Sequence, residues 1–155
     1  MMPELRNVSD DFLLWLKSEI PLVNHLGLNP LEWDGHTLVM GAELKPNVND
    51  KGTGFGGSLA TVTTLCGWSI VTLYLQSQGR CDDVVIADSH LQYISPVTSD
   101  FKAVTSLPNA QDLDVFDQKM MTKGRARMDL VIEIKQGDEV AMRLTGTYVA
   151  LEKKR

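Results

Sequence analysis

The sequence predicts an α+β fold in which an antiparallel sheet wraps around one long helix, organised as one domain over residues 1–155. Three observations predict it. Residues 52–79 contain no Asp, Glu, Lys or Arg, so a helix there must be enclosed on most sides. Residues 125–135 alternate, with Met128, Leu130, Ile132 and Ile134 on one face of a strand. The elements run helix, hairpin, loop, long helix, then several strands.

Taken in order, Ser9-Asp10-Asp11 reads as a helix N-cap with acids in the first turn. Phe12, Leu13, Trp15, Leu16 and Ile20 follow at helical spacing. Pro21 ends or kinks that helix, which can resume through Leu26 and stop at Gly27. Leu31 to Trp33 and Thr37 to Leu44 are strands joined at Asp34-Gly35, a hairpin turn signal. A loop from Lys45 to Gly57 precedes the long helix, Ser58 to Ser77, with Gly79 as its C-cap. Strands follow at Val84–Ile86 with His90–Ile94, Phe101–Ser106, Arg125–Lys135 and Val140–Leu151. Asn109 to Thr122 reads as a loop with a short helical turn. Lys153-Lys154-Arg155 reads as a disordered tail.

A chain of 155 residues, 43% hydrophobic and 23% charged, is long enough for a sizeable core. A net charge of −5 argues against nucleic acid or a membrane surface as partner. The uncharged run is long enough to ask about a membrane span. Its five threonines, serines, glycines and two glutamines suit a buried helix better. Cys66 and Cys81 lack metal-ligand spacing, and no disulfide is expected. With no signal-peptide pattern, a cytoplasmic location is the expectation. His25, His36 and His90 are scattered, so no metal site is expected.

The stretch Asn49-Asp50-Lys51-Gly52-Thr53-Gly54-Phe55-Gly56-Gly57 resembles the N-x-x-G-x-x-H-G-G loop of hotdog-fold acyl-thioesterases. Leu91-Gln92-Tyr93-Ile94-Ser95-Pro96-Val97 resembles the hotdog strand that ends in Y-x-x-P-V. The fuller wording P-N-V-N-D-K-G-T-G-F-G-G-S is similar to the hotdog domain of the YiiD C-terminal family. That resemblance implies a malonyl-acyl-carrier-protein decarboxylase, a class often labelled thioesterase. It also implies a homodimer with its sites at the subunit interface. No cofactor is implied, because the substrate carries its own phosphopantetheine.

Two departures bear on the chemistry. Phe55 stands where the thioesterase loop has His, and Thr64 stands where one thioesterase group has its catalytic acid. Hydrolysis needs an activated water or a carboxylate nucleophile. Decarboxylation of a malonyl thioester needs chiefly donors that hold the enolate oxygen, each supplying roughly 2.7–4 kcal/mol. The Gly57 N–H at the helix N-terminus and the Asn49 amide, at the family's catalytic position, are the expected donors. Asn47 is the rival to Asn49. Gly56 permits close backbone approach, Ser58 caps the helix or meets substrate, and Phe55 dries the pocket. Thr64 orients substrate through its hydroxyl, and Asp50 is the one loop acid that could serve hydrolysis. Each also has a plain structural reading, as turn former, core residue or helix residue.

Lys119, Lys123, Arg125 and Arg127 form the densest basic run, a docking rim for an acidic carrier protein or a solvated edge. Three functions remain in view. They are a malonyl-carrier-protein decarboxylase, an acyl-CoA or acyl-carrier-protein thioesterase, and a non-catalytic acyl-carrier binder.

Overall fold

The structure, a computed structural model, describes residues 2–153, with side chains from Asp10 onward. Helix α1 spans Met2–Glu19 and a 3-10 turn follows at Pro21–His25. Strands β1 (Glu32–Trp33) and β2 (Thr37–Ala42) lead through a second 3-10 turn, Lys45–Asn47, to helix α2 (Gly56–Ser77). Then come β3 (Asp83–Tyr93), β4 (Phe101–Ser106), helix α3 (Ala110–Lys123), β5 (Arg125–Gln136) and β6 (Glu139–Leu151).

The six strands form one antiparallel sheet in the order β1-β2-β4-β5-β6-β3. Its concave face holds α2, which touches every strand from β2 to β6. Ala126, Met128, Leu130, Ile132 and Ile134 of β5 point inward, as do Met142, Leu144, Tyr148 and Ala150 of β6. They meet Leu59, Val62, Cys66, Ile70 and Leu73 of α2. By length and composition α2 could span a membrane, but 72% of its apolar window is buried inside the fold. Enclosure by the sheet is the physical reason the helix carries no charge. The expected α+β layout is the observed one.

Three expectations change. α1 starts at Met2 and runs through Ser9 rather than being capped there. Pro3 sits in its first turn, where a missing N–H costs nothing. Beyond Pro21 the chain continues as a 3-10 turn, not as resumed α-helix. The segment expected to be a loop is the 14-residue α3. Asn109 caps it, with Oδ1 accepting from the Asp112 N–H at 2.8 Å, and Gly124 ends it at φ 68°. Of the expected C-terminal tail, residues 154 and 155 lie outside the described range.

Two edges position the site. β3 is an eleven-residue strand at the sheet edge, paired with β6 on one side only among the described residues. Beyond it, residues 94–97 turn back beneath the 45–55 loop, where the Gly54 N–H donates to the Val97 carbonyl at 2.8 Å.

Candidate active site

Loop 45–55 delivers the chain to the N-terminus of α2, and its two asparagines do different work. Asn47 is buried, and its Nδ2 donates to the carbonyls of Leu26 and Glu43, each at 2.8 Å. An asparagine amide has two N–H donors, so none is left for a ligand. The Asn47 carbonyl accepts the Phe55 N–H at 2.7 Å, which fixes the spacing between loop and helix. Asn49 is half-buried. Its Oδ1 accepts from the Lys51 and Thr53 N–H groups at 2.8 and 3.1 Å, and its Nδ2 donates to Thr53 Oγ1 at 2.9 Å. Asn49 therefore shapes the turn, as its plain structural reading anticipates, and retains one amide hydrogen.

The glycine pair starts α2 two residues earlier than expected. Phe55 takes the N-cap position and offers no side-chain hydrogen bond. The first bond of the helix runs from the Leu59 N–H to the Phe55 carbonyl at 3.0 Å. The N–H groups of Gly56, Gly57 and Ser58 thus lie at the positive end of the dipole without intrahelical partners. Ser58 is the third helical residue and does not cap. A Cβ at Gly57 would stand 2.6 Å from Cε2 of Phe55, so a larger residue there would push the exposed Phe55 ring aside. The Phe55 ring folds back over the helix start and remains 54% exposed, so it is not a core residue. Tyr93, not among the expected site residues, donates from its hydroxyl to the Gly56 carbonyl at 2.9 Å.

A cleft of about 370 Å³ opens one turn beyond Gly57. Ala60, Thr61, Thr64, Leu65 and Trp68 line it from α2, with Ile20 and Ile86 opposite. Gly57, Thr61, Thr64 and Trp68 recur at helical spacing on one face, a signal present in the sequence. The Thr64 carbonyl accepts from the buried Tyr148 hydroxyl at 2.9 Å, while its own hydroxyl makes no hydrogen bond to a described residue. No carboxylate of the described residues lines this cleft. Asp50 does not approach it. It is exposed and paired with Lys51, Nζ to Oδ1 at 3.1 Å. Cys66 lies on the core side of α2, where burial pushes its thiol up and holds it protonated.

The basic run lies elsewhere. α3 packs by Phe116 and Asp117 on Tyr74, with both Asp117 oxygens 2.9 Å from the Tyr74 hydroxyl. Tyr74 is 17 residues beyond Gly57, about 26 Å along the helix. Lys119 and Arg127 share a cleft of about 330 Å³ with Asp112 and Asp129. Lys123 and Arg125 lie with Asp83 and Glu152 around another. Carboxylates interleave these four residues, so they do not form a uniform basic rim beside the helix N-terminus.

A family model described as "Putative thioesterase (yiiD_Cterm)" matches residues 10–152. A solved protein of unknown function from Chlorobaculum tepidum is 28% identical, with TM-score 0.89 over 96% of this chain and 97% of that one. A "putative thioesterase" from Shewanella oneidensis is 29% identical, with TM-score 0.83 over 97% and 99%. A thioesterase from Haemophilus influenzae, 17% identical with TM-score 0.70 over 96% and 90%, shares the fold.

Proposed function

The chain belongs to the YiiD C-terminal family of thioesterase-like hotdog proteins, and from that premise we propose that it decarboxylates malonyl-acyl-carrier protein to acetyl-carrier protein and carbon dioxide. One observation carries the reading. The helix N-terminus presents free donors, while the cleft one turn beyond it has Thr64 at the position where one thioesterase group carries its acid.

The thioester oxygen docks on the Gly57 N–H, with the remaining Asn49 amide hydrogen as second donor. The electrons of the breaking C–C bond move into the carbonyl, giving the enolate and releasing carbon dioxide. These donors are worth most where charge develops. Protonation of the enolate carbon by water gives the acetyl thioester, which stays on the phosphopantetheine arm. The Thr64 hydroxyl, uncommitted among the described residues, orients the malonyl group. Asn47 serves as the strut that holds loop and helix in register.

The open edge of β3 is the natural seat for a second copy. A long unpaired edge is a template for another strand, and Val85, Tyr93 and Ile94 stand exposed along or just beyond it. A dimer built there would enclose Phe55 and Tyr93. The carrier-borne substrate fits a cytoplasmic enzyme.

Hydrolysis of acyl-CoA or acyl-carrier thioesters is the second reading, favoured by the family description and the Shewanella relative. Product analysis separates the two. Acetyl-carrier from the wild type, lost in Asn49→Ala, supports decarboxylation. Free holo-carrier and malonate, with Asp50→Asn inactive, support hydrolysis.

A further inference from the structure

Resting on the thioester site above, we propose that Trp68 sets the length of acyl chain the protein admits, making this a site for short acyl thioesters. A second cleft of about 680 Å³ continues along α2 past Thr72 and Leu75 towards Arg80. Among the described residues it shares Ile20 and Trp68 alone with the cleft that opens one turn beyond Gly57. These two side chains therefore divide one groove, flanked by α1 and β3, into a proximal chamber and a distal one.

The partition is held in place. Trp68 Nε1 donates to the Val84 carbonyl at 2.7 Å. Its ring stacks on Trp15, centroids 5.8 Å apart at 14°, and lies 6.4 Å from Phe12. A ring anchored on a strand and stacked on a helix does not swing aside as a free side chain would. The proximal walls are apolar apart from two threonine hydroxyls, which suits a short acyl group. A long chain would have to displace Trp68 to enter the distal chamber. The occupant is the acyl end of the substrate because the proximal chamber opens one turn along α2 from the donors of the helix N-terminus, on the face that carries Thr61 and Thr64.

Binding of non-hydrolysable S-butyl, S-octyl and S-dodecyl coenzyme A thioethers, measured by calorimetry, tests this without relying on turnover. Each buried methylene improves affinity about four-fold. In the wild type the dodecyl thioether is expected to bind no tighter than the octyl. In Trp68→Ala it should bind at least ten-fold tighter than the octyl, a gain that needs only two more buried methylenes. Ile20→Ala opens the partition from the other side and keeps the Trp68–Val84 bond. It should extend the profile in the same direction, which guards against a Trp68 variant that fails to fold.

An unbroken rise from butyl to dodecyl in the wild type would overturn the proposal. So would an unchanged profile in folded variants, or failure of every thioether to bind. A changed oligomeric state without a changed length profile would assign the distal cleft to a second copy instead, again overturning it. Malonyl-carrier decarboxylation is assayed separately. A length plateau without decarboxylation refutes the proposed reaction and leaves the gate standing.

Discussion

Replacing Gly67 by alanine places a methyl group against Tyr148, the largest fully buried side chain among the described residues. A Cβ there would stand 2.2 Å from Oη and 2.4 Å from Cζ of Tyr148. Tyr148 is wholly buried, and its hydroxyl is held 2.9 Å from the Thr64 carbonyl. It cannot withdraw without losing that bond. Helix propensity alone favours alanine by about 1 kcal/mol. Overpacking a filled core costs about 1–3 kcal/mol, and forfeiting the hydrogen bond costs about 1 kcal/mol. The balance is a loss of about 1–3 kcal/mol, which for a chain of this size lowers Tm by about 3–10 °C. Urea titration and scanning calorimetry measure it. Tyr148→Phe removes the nearest atom but leaves Cζ, so Gly67→Ala should cost less, though not nothing, in that background. A Gly67→Ala protein as stable as the wild type would refute the packing of α2 on β6 described above.

Other outcomes follow from the same geometry. Asn47→Ala removes one buried and one part-buried hydrogen bond and strands the Leu26 carbonyl, so urea titration should show a loss of about 2–3 kcal/mol. Asn49→Ala removes three hydrogen bonds of the turn and should cost about 1–3 kcal/mol of stability, while lowering kcat in the folded protein by about 10²–10³-fold, the worth of one oxyanion donor. Burial raises the phenols of Tyr148 and Tyr74 above their ordinary value of 10, with the Asp117 hydrogen bond adding to the effect at Tyr74. For a raised folded pKa the stabilisation is complete below the unfolded value and is lost as pH rises above it. Thermal stability should therefore decline above about pH 10, and less steeply in Tyr148→Phe.

Where one residue and its neighbours decide the structure, the sequence is legible. The Asp34-Gly35 hairpin forms because Asp34 Oδ1 accepts from the His36 and Thr37 N–H groups at 2.8 and 2.7 Å. Those bonds, Thr37 first, hold its carboxyl below the usual range. The alternation of β5 and the uncharged run of α2 likewise report burial directly. α3 was harder to read although Leu113, Phe116 and Met120 carry helical spacing. Its anchoring comes from Phe116 against Tyr74, ring centroids 6.0 Å apart, a contact 42 residues distant in the chain. The two asparagines show the same limit at the site. Asn47 is drawn inward by the carbonyl of Leu26, 21 residues away, which no local pattern foretells. The α2 wall of the cleft is written in the Gly57, Thr61, Thr64, Trp68 spacing, but Ile20 and Ile86 reach it only through the fold.

Backbone donors at the helix N-terminus, together with the Asn49 amide and without a carboxylate, should suffice for decarboxylation at this site. Intact-mass analysis of malonyl-carrier protein after incubation with the purified enzyme tests this most directly. The expected product is a carrier lighter by one carbon dioxide, still bearing an acetyl group, formed about 10²–10³-fold more slowly with Asn49→Ala. Free holo-carrier with released malonate would contradict it.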